Sequence, residues 1–239
     1  LGKEKNILIV PEQYTLQGEI DLITKMNLEG IINVQVLSFK RLAFRIMSEV
    51  GGIKKNLITD LGKIMTLRRI FEENKNNLTI FTKAYHQEGF IKEFSSLISE
   101  FKKNGMTDSS LNEYLEKINN DYILKNKISD ISMIYEKFDA TLAGKYIDEE
   151  ETLNILYENI KYSAFLKDSE IWIDGFNSFS VQEYKVIEEL FKTAKEVTFT
   201  LTTDLNVAGR DYDLFSPTIN TYKKMKEITE RNNLEENEI

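Results

Sequence analysis

Two kinds of hydrophobic pattern alternate along the first fifty residues. The nearly continuous apolar run at 6–10, ended by a proline, is typical of a strand buried on both faces of a parallel sheet. Apolar residues at helical spacing then predict a helix over 14–29, and a strand over 33–37 follows. A second helix over 39–50 has its stop signal in the glycines at 51–52. This order predicts an α/β fold with a parallel sheet. The expected buried residues of the first helix are Leu16, Ile20, Ile23 and Met26.

Residues 56–165 show a different pattern, in which amphipathic helices follow one another and no convincing strand occurs. Asp60 is the expected N-cap of one helix. The acids at 148–151 favour the start of another, because the N-terminus of a helix attracts negative charge. These residues therefore predict an all-helical insertion. The expected buried residues of the helix that Asp60 caps are Leu61, Ile64, Met65 and Phe71.

The α/β pattern resumes with an apolar strand at 171–174, in which we expect Trp172 to be buried. Ser180 and Glu183 form a capping-box pattern at the start of a helix, and an alternating strand follows at 196–202. The sequence thus predicts one sheet that is split by one insertion. The predicted domain limits are 1–55 for the first part of the α/β domain, 56–165 for the insertion, 166–230 for the return to the α/β domain and 231–239 for a polar tail.

The amino-acid composition excludes or disfavours most classes of catalytic site. The 239 residues include no Cys and a single His at position 86, which excludes disulfides, thiolate metal sites and Cys nucleophiles and argues against imidazole-based catalysis. The net charge is −8, but residues 1–60 hold eight basic and seven acidic residues, which is compatible with a local DNA-binding face. No apolar run reaches the ~20 residues that span a bilayer, and no secretory signal is recognisable. We therefore expect a cytoplasmic protein with no membrane partner.

Ligands of parallel α/β sheets bind beyond the carboxyl ends of the strands. In this chain the turns that follow the predicted strands are 11–13, 38–41 and 174–176, and we expect them to lie along one edge of a common sheet. An acid that closes an apolar strand, as Asp174 does, holds nucleotide-bound Mg²⁺ in P-loop NTPases. Capping of the following turn is the competing explanation for Asp174.

The order of these segments resembles the first half of a superfamily 1 helicase motor. VPEQ follows a strand, VLSFKRLAFR comes next, and IWIDGF follows the insertion and precedes a helix and a Thr-rich strand. Over essentially its whole length the chain is similar to the B subunits of AddAB helicase–nucleases, most specifically in LIVPEQYTLQGEIDL and VLSFKRLAFRIMSEVGG. The resemblance implies a P-loop NTPase-like parallel sheet that lacks its phosphate-loop strand and carries a large all-helical insertion.

The resemblance also implies a contact surface for single-stranded DNA. Related helicases touch the strand with a Thr-Phe-His triplet where this chain has Ser38, Phe39 and Lys40. Arg41 and Arg45 would add phosphate contacts, and Phe39 would stack on a base. Phe39 also lies on the apolar stripe of its helix, so core packing is the competing explanation.

Three further positions acquire roles from the same resemblance. Gln13 matches a polar position along the DNA path, although it could equally satisfy a loop carbonyl. Asp148 lies near a junction where helicases place an Asp that assists DNA or nucleotide binding, and the start of a helix explains it as well. Asp204 matches the start of the third helicase motif but lacks the Gly-Asp-x-x-Gln pattern of that motif.

The motifs for ATP hydrolysis are incomplete. Active motors carry Asp-Glu where this chain has Asp174 and Gly175, so Asp174 is a degenerate nucleotide and Mg²⁺ ligand without the neighbouring general base. The phosphate-loop motif is absent from the sequence, and we interpret the chain as an internal fragment whose phosphate loop lies upstream. We expect no catalytic residue and no cofactor in the fragment. The resemblance implies ATP, Mg²⁺ and an iron–sulfur cluster for the full-length family member.

The preferred hypothesis is a degenerate helicase-like module that binds or guides single-stranded DNA in a heterodimer with the A subunit. The resemblance places the parent protein, an ATP-dependent helicase and exonuclease, in double-strand break repair and recombination, and we expect the fragment alone to be inactive. One alternative is half of an active ATPase motor. The other alternative is a non-enzymatic scaffold for subunit interaction.

Overall fold

The computed structural model describes residues 5–26, 34–51, 56–118, 120–203 and 214–237. The strands are β1 (Lys5–Ile9), β2 (Val34–Leu37), β3 (Asn56–Leu57), β4 (Tyr146–Ile147), β5 (Ser169–Ile173) and β6 (Glu196–Phe199). The α-helices are α1 (Thr15–Lys25), α2 (Phe39–Val50), α3 (Asp60–Glu73), α4 (Phe90–Lys103), α5 (Asp108–Lys117), α6 (Tyr122–Leu142), α7 (Glu149–Asn159), α8 (Ala164–Lys167), α9 (Val181–Thr193) and α10 (Ser216–Arg231). Predicted features that lie outside the described residues are 27–29 of the first helix, residue 33 of the second strand, Gly52, Asp204 and residues 238–239 of the tail.

The chain divides into two units. Leu1–Gly52 and Leu153–Ile239 form the α/β unit, and Ile53–Thr152 forms the helical unit. The limits between the units therefore fall at 52 and 152, whereas the sequence predicted limits at 55 and 165. Residues 153–165 belong to the α/β unit, because side chains such as Ile160 and Phe165 are buried there.

The four strands of the α/β unit run parallel in the order β2-β1-β5-β6, which confirms the predicted α/β class. The most buried apolar side chains of the two central strands are Ile7, Ile9, Ile171 and Ile173, none of them more than 1% exposed. Trp172 lies on the opposite face beside Leu8, and both are only partly buried. The prediction that Trp172 is a core residue is therefore wrong, because this face of the sheet is less completely covered.

The helices that follow β2 and β5 begin at side-chain caps. The backbone N–H of Arg41 donates to the Ser38 hydroxyl at the start of α2, and Gly51 ends this helix with a φ of 111°. Ser180 and Glu183 form the predicted capping box at the start of α9, which confirms the interpretation of that motif. Local sequence thus fixes where both helices start.

Helix α1 turns a different face towards the sheet from the one that the sequence predicted. Leu16, Ile20, Ile23 and Met26 are exposed, whereas Leu22 is partly buried, and Gly18 lies so close to the sheet that a Cβ there would be 3.1 Å from Cγ1 of Val36. A side chain at this position would require Val36 to shift by a few tenths of an ångström, so the close contact favours glycine, and the apolar stripe does not take part in it. The residues predicted to be buried are exposed by 67% for Leu16, 47% for Ile20, 37% for Ile23 and 61% for Met26.

The helical unit has its own apolar core, in which α3, α4, α5 and α6 pack together. The largest side chains at its centre are Phe71 and Phe138. The prediction of an all-helical insertion is wrong in one detail, because β3 and β4 pair as two short parallel strands in this unit. Two residues per strand are too few to produce a recognisable alternation in the sequence.

Helix α3 also differs from its prediction. Its N-cap is Thr59, whose hydroxyl accepts from the N–H of Gly62 at 3.1 Å, and Asp60 lies in the first turn. Leu61 and Met65 are exposed, whereas Lys63 is buried. The Lys63 ammonium lies 3.1 Å from a carboxylate oxygen of Glu150, and this partner explains how a lysine replaces an apolar residue on the inner face. The buried residues of α3 are Lys63, Leu67, Ile70 and Phe71.

A second lysine of the helical unit, Lys102, is largely but not fully removed from solvent. Lys102 on α4 lies 2.6 Å from Asp139 on α6 and pairs with Asp148, which is 1% exposed. Burial lowers the pKa of Lys102, but the two carboxylates outweigh it and raise that pKa. Burial raises the pKa of Asp139 in spite of Lys102. Asp148 also accepts from the N–H of Glu151 at 2.8 Å, so it caps α7 as the helix-start explanation requires.

Helix α10 closes the α/β unit against α9. The sequence did not predict this helix, and the predicted tail begins too early at 231. Arg231 lies within α10 and pairs with Glu188, and the side-chain amide of Asn232 donates to Glu188 at 3.0 Å. None of the described helices is long and apolar enough to cross a membrane.

Replacing Lys102 with Met should lower the free energy of unfolding by about 3 kcal/mol, because Asp148 then stays buried without its cation. The matched control is Lys103→Met on the same helix, where the lysine is half exposed and 3.8 Å from Glu100, and this change should alter stability by less than ~0.5 kcal/mol. Urea unfolding followed by circular dichroism measures both. Equal midpoint shifts for the two variants would contradict the structural role of the buried pair.

Candidate functional site

The turns after β1, β2 and β5 lie side by side at the carboxyl ends of these strands. The N–H of Asp174 donates to the carbonyl of Ile9 at 3.0 Å, which extends the β1–β5 ladder into the turns. The Ser38 hydroxyl donates to the carboxylate of Glu12 and joins the turns after β1 and β2. The predicted convergence on one edge of the sheet is therefore confirmed. This carboxyl edge comprises residues 11–13, 38–41 and 174–176.

Ser38 has a structural function at the carboxyl edge. It is 4% exposed, its oxygen accepts from the N–H of Arg41 at 3.2 Å, and its proton goes to Glu12. The Arg41 guanidinium Nε lies 3.5 Å from Glu12, with both side chains about half exposed. Glu12 thus holds a hydroxyl and a guanidinium at once. The sequence reasoning placed Glu12 in the turn after the first strand but assigned it no role, although a carboxylate two residues beyond the apolar run was the signal that could have identified it.

Phe39 belongs to an aromatic cluster. Its ring lies 5.6 Å from that of Phe176 and 6.2 Å from that of Phe179, and the residue is 5% exposed. The cluster continues to Phe199 of β6, 6.1 Å from Phe179. A ring that is buried among other rings offers no free face to a nucleobase. The burial therefore corrects the prediction of base stacking by Phe39 in favour of core packing.

The remaining predicted DNA-binding residues lie at the surface or near it. Gln13 is exposed in a short 3₁₀ helix after β1, and Lys40 is partly buried in the first turn of α2. Arg45 is exposed one turn after Arg41, and its guanidinium carbon lies 4.6 Å from the centre of the Phe165 ring. Helix α2 thus carries three basic side chains along its first two turns, of which Lys40 and Arg41 lie at the carboxyl edge and Arg45 lies further along the helix, beside Phe165.

Asp174 is exposed at the end of β5, and its carboxylate accepts from the hydroxyl of Thr200, which follows β6. Gly175 has a φ of 81°, and a Cβ at this position would lie 3.4 Å from Cδ of Pro11. No group of three or more His, Cys, Asp or Glu side chains that could hold a metal ion occurs among the described residues. Asp174 is therefore a single carboxylate and does not by itself form a metal site.

A cavity of about 540 Å³ lies between α1 and the ends of β1 and β5. The side of α1 that lines it carries polar residues together with Leu22 and Met26. The Asp21 carboxylate there accepts from the Gln17 amide at 2.7 Å and lies 3.1 Å from the Lys25 ammonium. These two partners lower the pKa of Asp21, the hydrogen bond from Gln17 contributing most. The sequence reasoning missed this cavity, because it expected α1 to turn its apolar side to the sheet.

Glu49 fixes the last turn of α2. Its carboxylate accepts from the Ser163 hydroxyl at 2.6 Å and from the N–H of Phe165 at 2.9 Å. Burial raises the pKa of Glu49, but these hydrogen bonds outweigh it, and the pKa lies below its usual value. Because α2 carries the basic residues of the carboxyl edge, Glu49 sets their position from the other end of the helix.

Comparison with protein families agrees with this architecture. The family model described as ADDB, N-terminal, matches residues 2–239. This chain belongs to the ADDB N-terminal family. The match includes the turns of the carboxyl edge and both units, so the family assignment covers every element described above.

Curated relatives of this ADDB N-terminal chain are named as the B subunit of an ATP-dependent helicase/deoxyribonuclease. The chain is 45% identical over 235 residues to that of Alkaliphilus metalliredigens and 43% identical over 235 residues to that of Alkaliphilus oremlandii. It is 41% identical over 233 residues to that of Clostridium acetobutylicum. Each match covers 98% of this chain and 20% of the relative. The chain therefore spans about one fifth of the length of these relatives.

Replacing Glu49 with Gln should lower the melting temperature at pH 7, because the neutral amide accepts more weakly from Ser163 and Phe165. The pKa of Glu49 is lower in the folded state, so the carboxylate stabilises the fold above the unfolded pKa, near 4.5, and this contribution disappears as the pH falls through the folded pKa. Melting curves of both proteins between pH 7 and 3 should therefore converge at the acid end. A constant difference across this range would contradict the assignment.

Proposed function

We propose that this chain is the helicase-like N-terminal module in the B subunit of an ATP-dependent helicase/deoxyribonuclease, and that its carboxyl edge binds single-stranded DNA. The observation that carries the proposal is the convergence of three strand ends beside the basic start of α2. The strand order and the family membership support a P-loop NTPase-like sheet of the superfamily 1 type. The names of the relatives support a parent protein that acts on DNA.

The proposed contacts to single-stranded DNA come from surface residues of this edge and from Arg45, one turn further along α2. Lys40, Arg41 and Arg45 provide positive charge for phosphates, and Gln13 provides a side-chain amide. Glu12 holds Arg41 in place, which limits the side-chain entropy that binding would cost. Phe39 and Ser38 are buried, support the residues of the edge by packing and hydrogen bonding, and are assigned no direct contact with DNA.

The proposed module has lost its motor chemistry. Asp174 is the remaining carboxylate of the expected Asp-Glu pair, and it is bonded to Thr200. The positive φ of Gly175 favours glycine over any other residue. The backbone conformation of the turn therefore disfavours the glutamate that completes the pair in active motors. These residues do not form a complete Mg²⁺ or nucleotide site. The chain has no Cys, so any iron–sulfur cluster of the parent protein is held elsewhere.

In this proposal the module acts in a heterodimer with the A subunit during double-strand break repair and recombination. The relatives are named as one lettered subunit of an enzyme, which supports a partner subunit. The alternative of an interaction scaffold draws its support from the acidic balance of the chain, which has a net charge of −8. DNA binding by the chain itself separates the two functions.

The 239-residue chain should bind a labelled oligothymidylate with an affinity that falls steeply as salt increases. Replacing Lys40 and Arg41 together with Ala should weaken binding roughly ten-fold and reduce the slope of log K against log salt by about 1.4, the value for two phosphate contacts on a single strand. Fluorescence anisotropy across a salt series measures both quantities.

The matched control for this titration is the double replacement of Lys167 and Lys223 with Ala. Lys167 precedes β5 and so lies at the amino end of the sheet, and Lys223 lies on α10. This control has the same charge change and should bind as the unmodified chain does. Absence of binding, or equal weakening by both double variants, would favour the scaffold and count against the carboxyl edge.

The chain should release no phosphate from ATP above the blank, with or without single-stranded DNA, because the general base is absent beside Asp174. A malachite green assay on the purified chain measures this. DNA-stimulated release of phosphate would contradict the loss of motor chemistry and favour the alternative of an active motor half. Tight nucleotide binding by a longer polypeptide that includes a phosphate loop would favour the same alternative.

A further inference from the structure

Helix α1 has an apolar stripe that the α/β unit does not use. Leu16, Ile20 and Ile23 follow one another at intervals of four and three residues and therefore lie on one face of the helix, over a length of ~10 Å. All three are exposed. The opposite side of α1, with Gly18, Asp21 and the partly buried Leu22, faces the sheet and the cavity. The usual arrangement of a helix on a sheet is thus inverted.

The inversion is fixed by packing. Gly18 lies so close to Val36 that even a Cβ would be only 3.1 Å from Cγ1. Turning the apolar stripe inward would place Ile20 or Leu16 at this close contact, where Val36 would have to shift to admit even a Cβ. The stripe therefore faces outward because Gly18 occupies the place beside Val36, and an outward row of large aliphatic side chains indicates a contact surface.

We propose that the Leu16–Ile20–Ile23 stripe is covered by a segment of the remainder of the parent polypeptide. The inference rests on the proposed function, in which this chain is one module of a longer subunit. The chain covers 20% of the length of its curated relatives, so about four fifths of such a polypeptide is available to supply the covering segment. The stripe fits an apolar helix face or strand face of similar length.

The size of the stripe favours the same polypeptide over a second copy of the chain. A fully buried Leu or Ile side chain removes ~60–120 Å² from water, so three partly exposed ones offer on the order of 200 Å². Two copies would bury about 400 Å² in this way, well below the ~1,200 Å² of the smallest stable interfaces. A segment of the same polypeptide has a high effective concentration and needs far less area.

A charged residue beside the stripe restricts the charge of the segment that can cover it. Glu19 lies three residues after Leu16 and four before Ile23, so its carboxylate is next to the stripe. A segment with a Lys or Arg beside its apolar row would complement this carboxylate, whereas an acidic border would repel it. The expected occupant is therefore an amphipathic segment with a basic flank.

Cysteine labelling tests the proposal. The chain has no Cys, so Leu16→Cys and Ile20→Cys each introduce a thiol at a known position. The control is Lys25→Cys, nine residues after Leu16 and so on the opposite side of α1. The rate of maleimide labelling is measured by peptide mass spectrometry in the 239-residue chain, in the full-length polypeptide and in that polypeptide with its partner subunit.

The proposal expects labelling at positions 16 and 20 to be at least ten-fold slower in the full-length polypeptide alone than in the 239-residue chain, and labelling at 25 to change much less. Slowing that appears only after the partner subunit is added would overturn the proposal. The proposal would also be overturned if labelling of the 239-residue chain became slower as its concentration increased. It would be overturned as well if labelling in the full-length polypeptide slowed no more at positions 16 and 20 than at position 25.

A second variant guards against a labelling artefact. Ile20→Asp should leave the melting temperature of the 239-residue chain within about 2 °C, because Ile20 is exposed there, and should lower that of the full-length polypeptide. An unchanged full-length melting temperature would count against the proposal. Oligothymidylate binding by the 239-residue chain should be the same with and without this substitution, so failure of the stripe and failure of the DNA-binding edge are distinguishable.

Discussion

The parallel pairing of β1 between β2 and β5 is the constraint on which the α/β unit depends. Residues that are more than 150 positions apart in the chain become neighbours, because Leu8 pairs with Trp172 on one side and with Val36 on the other. Neighbouring parallel strands end at the same edge of a sheet, so the turns that follow them lie next to one another. The bond from Asp174 to Ile9 continues this alignment past the last strand residue and gives the turns a common backbone frame.

The sequence predicted most of what depends on local pattern. The strands, the helix after Ser38 and the capping box of Ser180 and Glu183 follow from short stretches of residues whose propensities agree with the fold. The convergence of the strand ends also followed, because topology rather than side-chain detail determines it. Helix α10 was missed because its apolar positions are diluted by polar residues, and β3 and β4 were missed because they are so short.

The errors share a physical cause. Periodicity shows that α1 and α3 each have an apolar side, but it does not show which way that side faces. In α1 a glycine decides the question, and in α3 a lysine does, because Lys63 finds Glu150 inside the helical unit. Both decisions depend on partners that are distant in sequence. The sequence can therefore predict correctly that a segment is helical and predict wrongly which of its faces is buried.

The candidate site shows a related ambiguity. Ser38 and Phe39 were assigned to DNA by their position in a motif, and the structure uses them to cap a helix and to fill an aromatic cluster. A hydroxyl and a ring suit either purpose, so residue type alone does not separate a contact from its support. Burial separates them, and burial is set by Phe176 and Phe179, more than 130 positions later in the chain.

The geometry of Gly175 has an evolutionary consequence. Every glycine codon becomes a codon for Asp or Glu by one nucleotide change, so an acid at this position is genetically close. In this turn, however, the backbone adopts a φ of 81°, which glutamate disfavours, and the Pro11 ring lies against the place of its Cβ. A glutamate would require the turn to change its conformation at the same time. The backbone thus opposes the appearance of an Asp-Glu pair by a single substitution.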